Sequence, residues 1–567
     1  METASVAARL AENKGSYVAP LFFVSLACAL AGSRLGTVLP WALSACALAA
    51  AGWAAGGRVP VLSPLSLPVF GFAVLVVLHT LLLSPAYTPA GLYHPLLLVL
   101  GFLAARRSGE RGERNAARAA FAFGAILAAW GLVQIGPLGV ARAHAMFETP
   151  ATFAAVINLL LVPLLAAALM GRRGALLLAL LAGFAAAMFA ADSRGGLLAL
   201  AAGFAAAIVL GLRARQLRSK NISLALALLA TGWLLAAALR ALPWAGLTTA
   251  SVEAQPTAQA QAESSQSRLE LYALSWNAWR ERPLGGTGYL TFRYTLEQGR
   301  AQVPSYGESA QTWFVHNDYL QTLQELGPLG LVALLTLAWL PAWFAYRRLP
   351  ALPQAQRAPV VAAASGLAAM ACHALVDFPF YIPVCLVLYG ALLGALDRRL
   401  GALRESAAAP LLTPPWLRAA GLGLALLAGV LLLRPVAAEA AAAWGMKGFA
   451  AGDGQSAAFW LGVARRIEPA DWRYHWYAGQ FWDGQASVSG RREAARLAAQ
   501  AYAAGFEANR LEVSNLLGKI SVHRRHGKLL DAPADSLTQA TWVAQAEALA
   551  PFNDAVRRER ALLGAAR

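Results

Sequence analysis

Cysteine is scarce in this chain, with four in 567 residues. Cys28, Cys46, Cys372 and Cys385 all lie in apolar runs and none forms a CxxC pair. That excludes a disulfide framework and a thiolate metal centre, and leaves four small core residues. Charge is scarce too. Asp, Glu, Lys and Arg make up 14% of the residues against 58% hydrophobic, well below the charged share of an ordinary soluble domain. There is no P-loop, no HExxH and no GxSxG, which removes Walker-type nucleotide chemistry, zincin hydrolysis and the α/β-hydrolase elbow. Acidic residues are the rarer sign, 30 against 47 basic, for a net charge of +17. The arginines sit mainly in short clusters between apolar runs, a pattern of membrane topology rather than of a nucleic-acid surface, so no nucleic-acid partner is expected.

What the chain has in abundance is long apolar runs. Stretches of about 17 to 22 residues recur from Ser16 to about Arg434, the length that crosses a hydrocarbon core of about 30 Å. About thirteen spans are expected by this criterion, near 16–33, 37–56, 66–84, 89–105, 118–137, 151–170, 174–191, 195–212, 222–241, 327–346, 357–376, 380–396 and 417–434. Pro40, Pro60, Pro64 and Pro68 blur the earliest boundaries. The opening METASVAARLAENKGSYVAP is too polar, and too long before its first apolar run, for a typical cleavable signal peptide. The first span is expected to be retained. The fold class is therefore all-α, a polytopic membrane protein with about 12–13 transmembrane helices.

Lys and Arg in the short loops set the orientation. The clusters are Arg106-Arg107 to Arg118, Arg172-Arg173, Arg213 to Lys220, Arg347-Arg348 and Arg398 to Arg404. Counting spans puts all of them on one side, with Arg9 and Lys14, and that side is expected to be the cytoplasm. The opposite side receives the turn Ala191-Asp192-Ser193-Arg194-Gly195-Gly196, a long loop over 242–326, the turn around His373, Asp377 and Pro379, and the region beyond Pro435. That side has no acidic pair such as DxD to hold a metal-bound nucleotide sugar.

Inside the long loop, LTTASVEAQPTAQAQAESSQS is poor in large apolar residues and reads as mobile. From Arg268 the pattern turns helical, with Leu269, Tyr272, Leu274, Trp276 and Trp279 near one broad face until Pro283. A second helix is expected from about Thr312 to Leu326. Beyond the last span, charges of both signs return, and amphipathic helices are expected near 437–450, 455–467, 471–485, 489–504, 510–525, 536–549 and 552–563. ARRIEPADW and EALAPFND precede similar helix starts, with Gly505 and Asn509 between them. A step of roughly 40 residues suggests tetratricopeptide-like helical hairpins.

Several residues on the outer side carry chemistry. His316 sits with Asn317 and Asp318 between apolar neighbours, and a histidine can take a proton from a hydroxyl. On a helix Asn317 and Asp318 point away from it; Gln311 and Gln324 are alternative neighbours, and the plainer role for Asn317 or Asp318 is a helix cap. Arg194, in the Ser193-Arg194-Gly195-Gly196 turn, offers forked donors suited to phosphate, or simply snorkels. Arg268 opens the loop helix, with Arg280, Arg282 and Arg293 as rivals. His373 and Asp377 are spaced i, i+4 and read best as a structural pair holding the Pro379-Phe380 turn.

The order of these segments is specific as a set. SRGGLLAL after a span is followed by an outer loop with an Arg ahead of W..W..RPLGGTGYLTF, and then by HNDYLQTLQELGPLGL entering the next span. The ordered set resembles the bacterial O-antigen ligase and polymerase superfamily, which also contains the bacterial protein O-oligosaccharyltransferases. The resemblance covers roughly residues 120 to 400, and HALVDFPFYIP before a final span and helical tail looks like its larger members. It implies a membrane glycosyltransferase C-type fold in the bacterial inner membrane. It implies an undecaprenyl-diphosphate-linked glycan as donor and a hydroxyl of a glycan, of lipid A–core or of a protein as acceptor, with no metal and no other cofactor. His316 matches the family's essential histidine, Arg194 the SRG arginine and Arg268 the loop arginine. Ser193, Asn317, Asp318, Arg293, His373 and Asp377 are supporting candidates. The oligosaccharyltransferase branch is expected to carry a Gln-x-Asn element where this chain reads MFETPATFAAVINLL, so ligase or polymerase activity is the first expectation and protein O-glycosylation the alternative. A transporter or an envelope-assembly scaffold is more distant, since no internal repeat of spans or broken-helix pair is visible. The expected division is 1–120 for N-terminal transmembrane helices, 121–400 for the ligase-like core, 401–436 for the final helix and linker, and 437–567 for a periplasmic helical domain able to recruit a protein partner.

Overall fold

A computed structural model of the chain describes residues 17–55, 63–242, 258–306, 312–401 and 415–565. These residues form α1 (Val18–Leu35), α2 (Val38–Ala54), α3 (Ser66–Leu78, continued to Leu83 by a π-helical turn), α4 (Ala90–Arg107), α5 (Glu110–Ile135), α6 (Pro150–Leu169) and α7 (Ala175–Ala191). There follow α8 (Arg194–Arg213), α9 (Ser219–Ala241), α10 (Ala258–Glu281), α11 (Phe292–Gln298), α12 (Asp318–Arg348), α13 (Gln354–His373) and α14 (Pro383–Gly401). The last helices are α15 (Pro415–Ala450), α16 (Gly454–Ile467), α17 (Trp472–Ser489), α18 (Arg492–Ala508), α19 (Val513–His526), α20 (Ser536–Leu549) and α21 (Asp554–Ala565). Among the described residues there is no strand, only an isolated bridge between Ala86 and Asn509.

The protein is an all-helical, polytopic membrane protein. Among the described residues, seven helices are long and apolar enough to cross a bilayer: α1, α3 with its π turn, α5, α6, α8, α9 and α12. α2 and α7 are apolar but shorter. α4, α13 and α14 pack largely buried within the bundle, where a neighbouring helix replaces lipid and small or polar residues are tolerated. Each of the thirteen expected spans falls on a helix. α6 is the hub, its apolar window almost wholly enclosed by protein.

Small residues bring backbones together, as helix association in lipid requires. A Cβ at Gly390 or Gly394 on α14 would collide with the carbonyl oxygens of Leu98 and Phe102 on α4. The basic loops meet at one end of the bundle. Arg106 pairs with Asp397 at 2.8 Å and Arg399 with Glu113 at 2.6 Å. Arg357 donates to the Ala214 carbonyl at 3.0 Å, and Arg173 to Asn221 at 3.3 Å. The shared end agrees with the charge pattern of the loops.

Three local expectations change. The loop helix begins at Ala258, so Arg268 lies inside it rather than at its start. Residues 312–317 are not helical. α12 starts only at Asp318, because Asn317 turns its Oδ1 to accept from Leu320 N–H at 3.0 Å, and α12 then breaks at Gly327, whose φ is 71°. The last expected span and first tail helix are one 36-residue helix, α15, with Pro435 inside it; a proline kinks a helix but need not end it when neighbours compensate. Arg9, Lys14, Gln311, Arg404 and residues 247–257 of the stretch expected to be mobile (247–267) lie outside the described residues, and the rest of that stretch, from Ala258, is the first part of α10.

Candidate active site

The site forms at the end of the bundle opposite the basic loops. α7 ends at Asp192, which takes a left-handed φ of 47°. Ser193 then caps α8, its Oγ accepting from Gly196 N–H at 3.1 Å. Capping makes Arg194 the first residue of α8, exposed, at a helix N-terminus whose dipole favours anions. The Arg194 guanidinium donates to Ser265 Oγ at 3.3 Å, which links the turn to α10.

A loop that carried no sequence motif completes the cationic cluster. Ala143 N–H donates to the Ala190 carbonyl at 2.9 Å, and Arg142 Nη2 to the Asp192 carbonyl at 2.8 Å. Burial draws the Arg142 guanidinium below the usual arginine range; Asp192 opposes the fall, and the positive charges of Arg194 and Arg268 add to it. Its Nε is buried with no hydrogen-bond partner among the described residues. Three guanidinium groups therefore share one field, which an anion would relieve.

Arg268 also acts on Tyr272, one turn further along α10. Burial raises the Tyr272 phenol above its ordinary range, with Arg268 pulling it down and Asp377 pushing it up. The Tyr272 hydroxyl donates to the His316 carbonyl at 2.9 Å. His316 lies in the non-helical segment ahead of α12 with a φ of 60°, a conformation uncommon for non-glycine residues and often held in place at functional sites. Its ring is 20% exposed, with Nδ1 3.3 Å from Asp377 Oδ1. It rests edge-on against Phe378, centroids 5.0 Å apart.

Asp377 faces two histidines, one with each carboxylate oxygen. It was expected to pair with His373, and its Oδ2 does lie 3.5 Å from His373 Nε2. The other oxygen faces His316. Burial works against ionisation of Asp377, but His316 and His373 outweigh it and hold the carboxyl below the usual carboxylate range. An ionised Asp377 only accepts, so His316 Nδ1–H donates to it, and the lone pair of the neutral ring then sits on Nε2. Gly195 closes the circle: a Cβ there would stand 3.3 Å from His373 Nε2. Arg194, Arg268 and His316 are thus brought together, along with Arg142, Tyr272, His373 and Asp377.

The other candidates have structural employment. Asn317 is a cap. Asp318 is buried, its Oδ2 accepting from Phe380 N–H at 2.8 Å while its own N–H donates to the Ala374 carbonyl at 2.9 Å. Ser193 caps α8. Arg293 does not join the cluster; it stacks on Trp313, 4.2 Å from the ring centre, and faces the tail. Gln324 bonds Thr295 at 2.8 Å and accepts from Ser275 at 2.8 Å, away from His316. The GGTG turn and the QELG segment interlock around Glu325, whose carboxylate accepts from Leu290 N–H, Phe292 N–H, Gln321 and Tyr381. Among the described residues no group of three or more His, Cys, Asp and Glu is placed to hold a metal ion.

An arginine cluster at a helix N-terminus stands beside a carboxylate-oriented histidine, an arrangement chemically able to hold an anionic group and to take a proton. Residues 175–335 match the family model described as O-antigen ligase, which supports the O-antigen ligase/polymerase superfamily for that stretch. The match takes in Arg194, Arg268 and His316. No curated protein matches the chain.

Proposed function

We propose that the protein transfers a glycan from an undecaprenyl-diphosphate carrier to an acceptor hydroxyl, with His316 as base and Arg194, Arg268 and Arg142 as the diphosphate cradle. The observation that carries this reading is the convergence of three arginines with His316, which a transporter or scaffold would not require. In the step proposed, His316 Nε2 takes the proton of the acceptor hydroxyl as that oxygen bonds to the anomeric carbon. The bond from that carbon to the diphosphate oxygen breaks, and the leaving diphosphate gains one negative charge, which the guanidinium groups offset. A direct displacement inverts the anomeric carbon. Arginine can supply this charge stabilisation, so no metal ion is assigned a role.

Topology supports the bacterial inner membrane as the location, with the N-terminus in the cytoplasm, the site and the tail in the periplasm, and the divisions near 120, 400 and 436 as functional units. The tail's consecutive helices support a tetratricopeptide-like recruiting surface. Deletion of the gene, followed by analysis of lipopolysaccharide, exopolysaccharide and glycoproteins, tests the function. Undecorated lipid A–core marks a ligase and single-repeat chains a polymerase. Unglycosylated protein would move the assignment to protein O-oligosaccharyltransferase, and unaltered glycans would reject the proposal.

A further inference from the structure

Two clefts outside the site involve the tail. One, of about 660 Å³, lies along α17 and α19 and is lined by Trp476, Gln480, Tyr502 and Arg525. The other, of about 290 Å³, lies where the tail meets the outer loop and is lined by Arg293, Glu297, Trp313 and Glu512. Ser514 and Asn553 line both, so the two clefts adjoin and together make a groove along the tail. Its walls are pinned to each other: Asn509 donates to the Tyr294 hydroxyl at 2.9 Å and also bridges to Ala86. Trp313, 46% exposed, stands three residues before His316, so at no more than ~3.3 Å per residue the groove reaches within about 10 Å of the candidate base.

The lining says what fits. Arg525 is paired with Asp483, and Glu559 with Arg524 at 2.9 Å. Such internally paired charge suits neither a polyanion nor a strongly basic segment. Apolar side chains line the groove too, Phe449 and Leu517 in one cleft and Leu511 and Val513 in the other, mixed with polar ones. An indole ring lines each cleft, Trp476 one and Trp313 the other, and the polar groups of Gln480, Asn553 and Ser514 line the same space. Arg293 braces the Trp313 ring from one side. A sugar ring offers an apolar C–H face to an aromatic plane and vicinal hydroxyls to amides and hydroxyls. We propose that this groove binds an uncharged stretch of glycan, holding the chain that enters or leaves the site several sugar units from the reacting bond. The inference rests on His316 marking the transfer site.

The test uses purified full-length protein in detergent and octasaccharides cut by partial acid hydrolysis from the host's own surface polysaccharide, titrated by intrinsic tryptophan fluorescence. The wild-type protein is expected to bind. Trp476→Ala and Gln480→Ala are each expected to bind about ten-fold more weakly, the loss of one stacking or hydrogen-bonding contact. His316→Ala is expected to bind as wild type does. Gln480 makes the second variant because it perturbs folding least, and both are checked for unchanged thermal unfolding. Absence of binding, groove variants that bind like wild type, or displacement of the sugar by a peptide from an envelope protein would overturn the proposal. Binding does not depend on transfer, so an oligosaccharide held by a protein without transferase activity refutes the proposed function and leaves the groove assignment standing.

Discussion

At the scale of single residues, the candidate site depends on which nitrogen of His316 is basic. Asp377 decides that by accepting from Nδ1, so Asp377→Asn, isosteric but able to donate, is expected to lower kcat about 100-fold with little change in KM. The same pair fixes a pH dependence. The Asp377 carboxyl is held below its ordinary range, so its stabilising contribution is complete above the unfolded-state pKa of about 3.9 and is lost only as pH falls below it. The gap in unfolding temperature between wild type and Asp377→Asn is therefore expected to narrow as pH falls below about 4. Arg142 gives a second residue-scale prediction. Arg142→Ala is expected to cut kcat/KM for the lipid donor by about 10- to 100-fold, with Arg142→Lys recovering part of it; equal activity in all three proteins would remove Arg142 from the cradle. His316, Arg194 and Arg268 were legible because motif order marked them. Arg142 was not, because a lone arginine in an unpatterned loop carries no signal until the Asp192 carbonyl is seen to hold it.

At the scale of elements, hydropathy and punctuation place the helices well because apolar runs of spanning length and helix-start segments such as ARRIEPADW and EALAPFND are local signals. The segment 312–317 escaped, since its residues can form a helix and only the left-handed His316 and the Asn317 cap prevent it. Motif strength was also misleading in one respect. RPLGGTGYL and QELGPLG are needed to lock the loop onto α12: Gly286 lets its backbone meet the Glu325 carbonyl at a φ of 65°, and Thr287 and Gly288 donate to the Gln324 and Glu325 carbonyls at 3.0 and 2.9 Å. Glu325→Ala would leave the buried Leu290 and Phe292 N–H groups without their acceptor, and is expected to destabilise the fold by about 3 kcal/mol or more. The measurement is thermal unfolding in detergent, and an unchanged midpoint would show that the interlock is dispensable.

At the scale of the whole molecule, two independent readings agree. Loop arginines divided the chain between two sides, and the folded chain gathers those loops at one end and the candidate site at the other. This predicts the accessibility of introduced cysteines: with an impermeant maleimide on intact cells whose outer membrane is permeabilised, Ser487→Cys in the tail is expected to react and Ser219→Cys at the start of α9 to stay protected. The reverse pattern would invert the topology. The convergence of α8, α10, α12 and the 142 loop could not be read from sequence, because contacts across 50 to 180 positions leave no periodic trace. The most direct test of the central claim is a transfer assay in proteoliposomes with a lipid-diphosphate-linked glycan, scoring both glycosylated acceptor and released undecaprenyl diphosphate. His316→Ala and Arg194→Ala are each expected to lose at least about 100-fold in both products while remaining folded; full activity in either variant would contradict the assignment of the site.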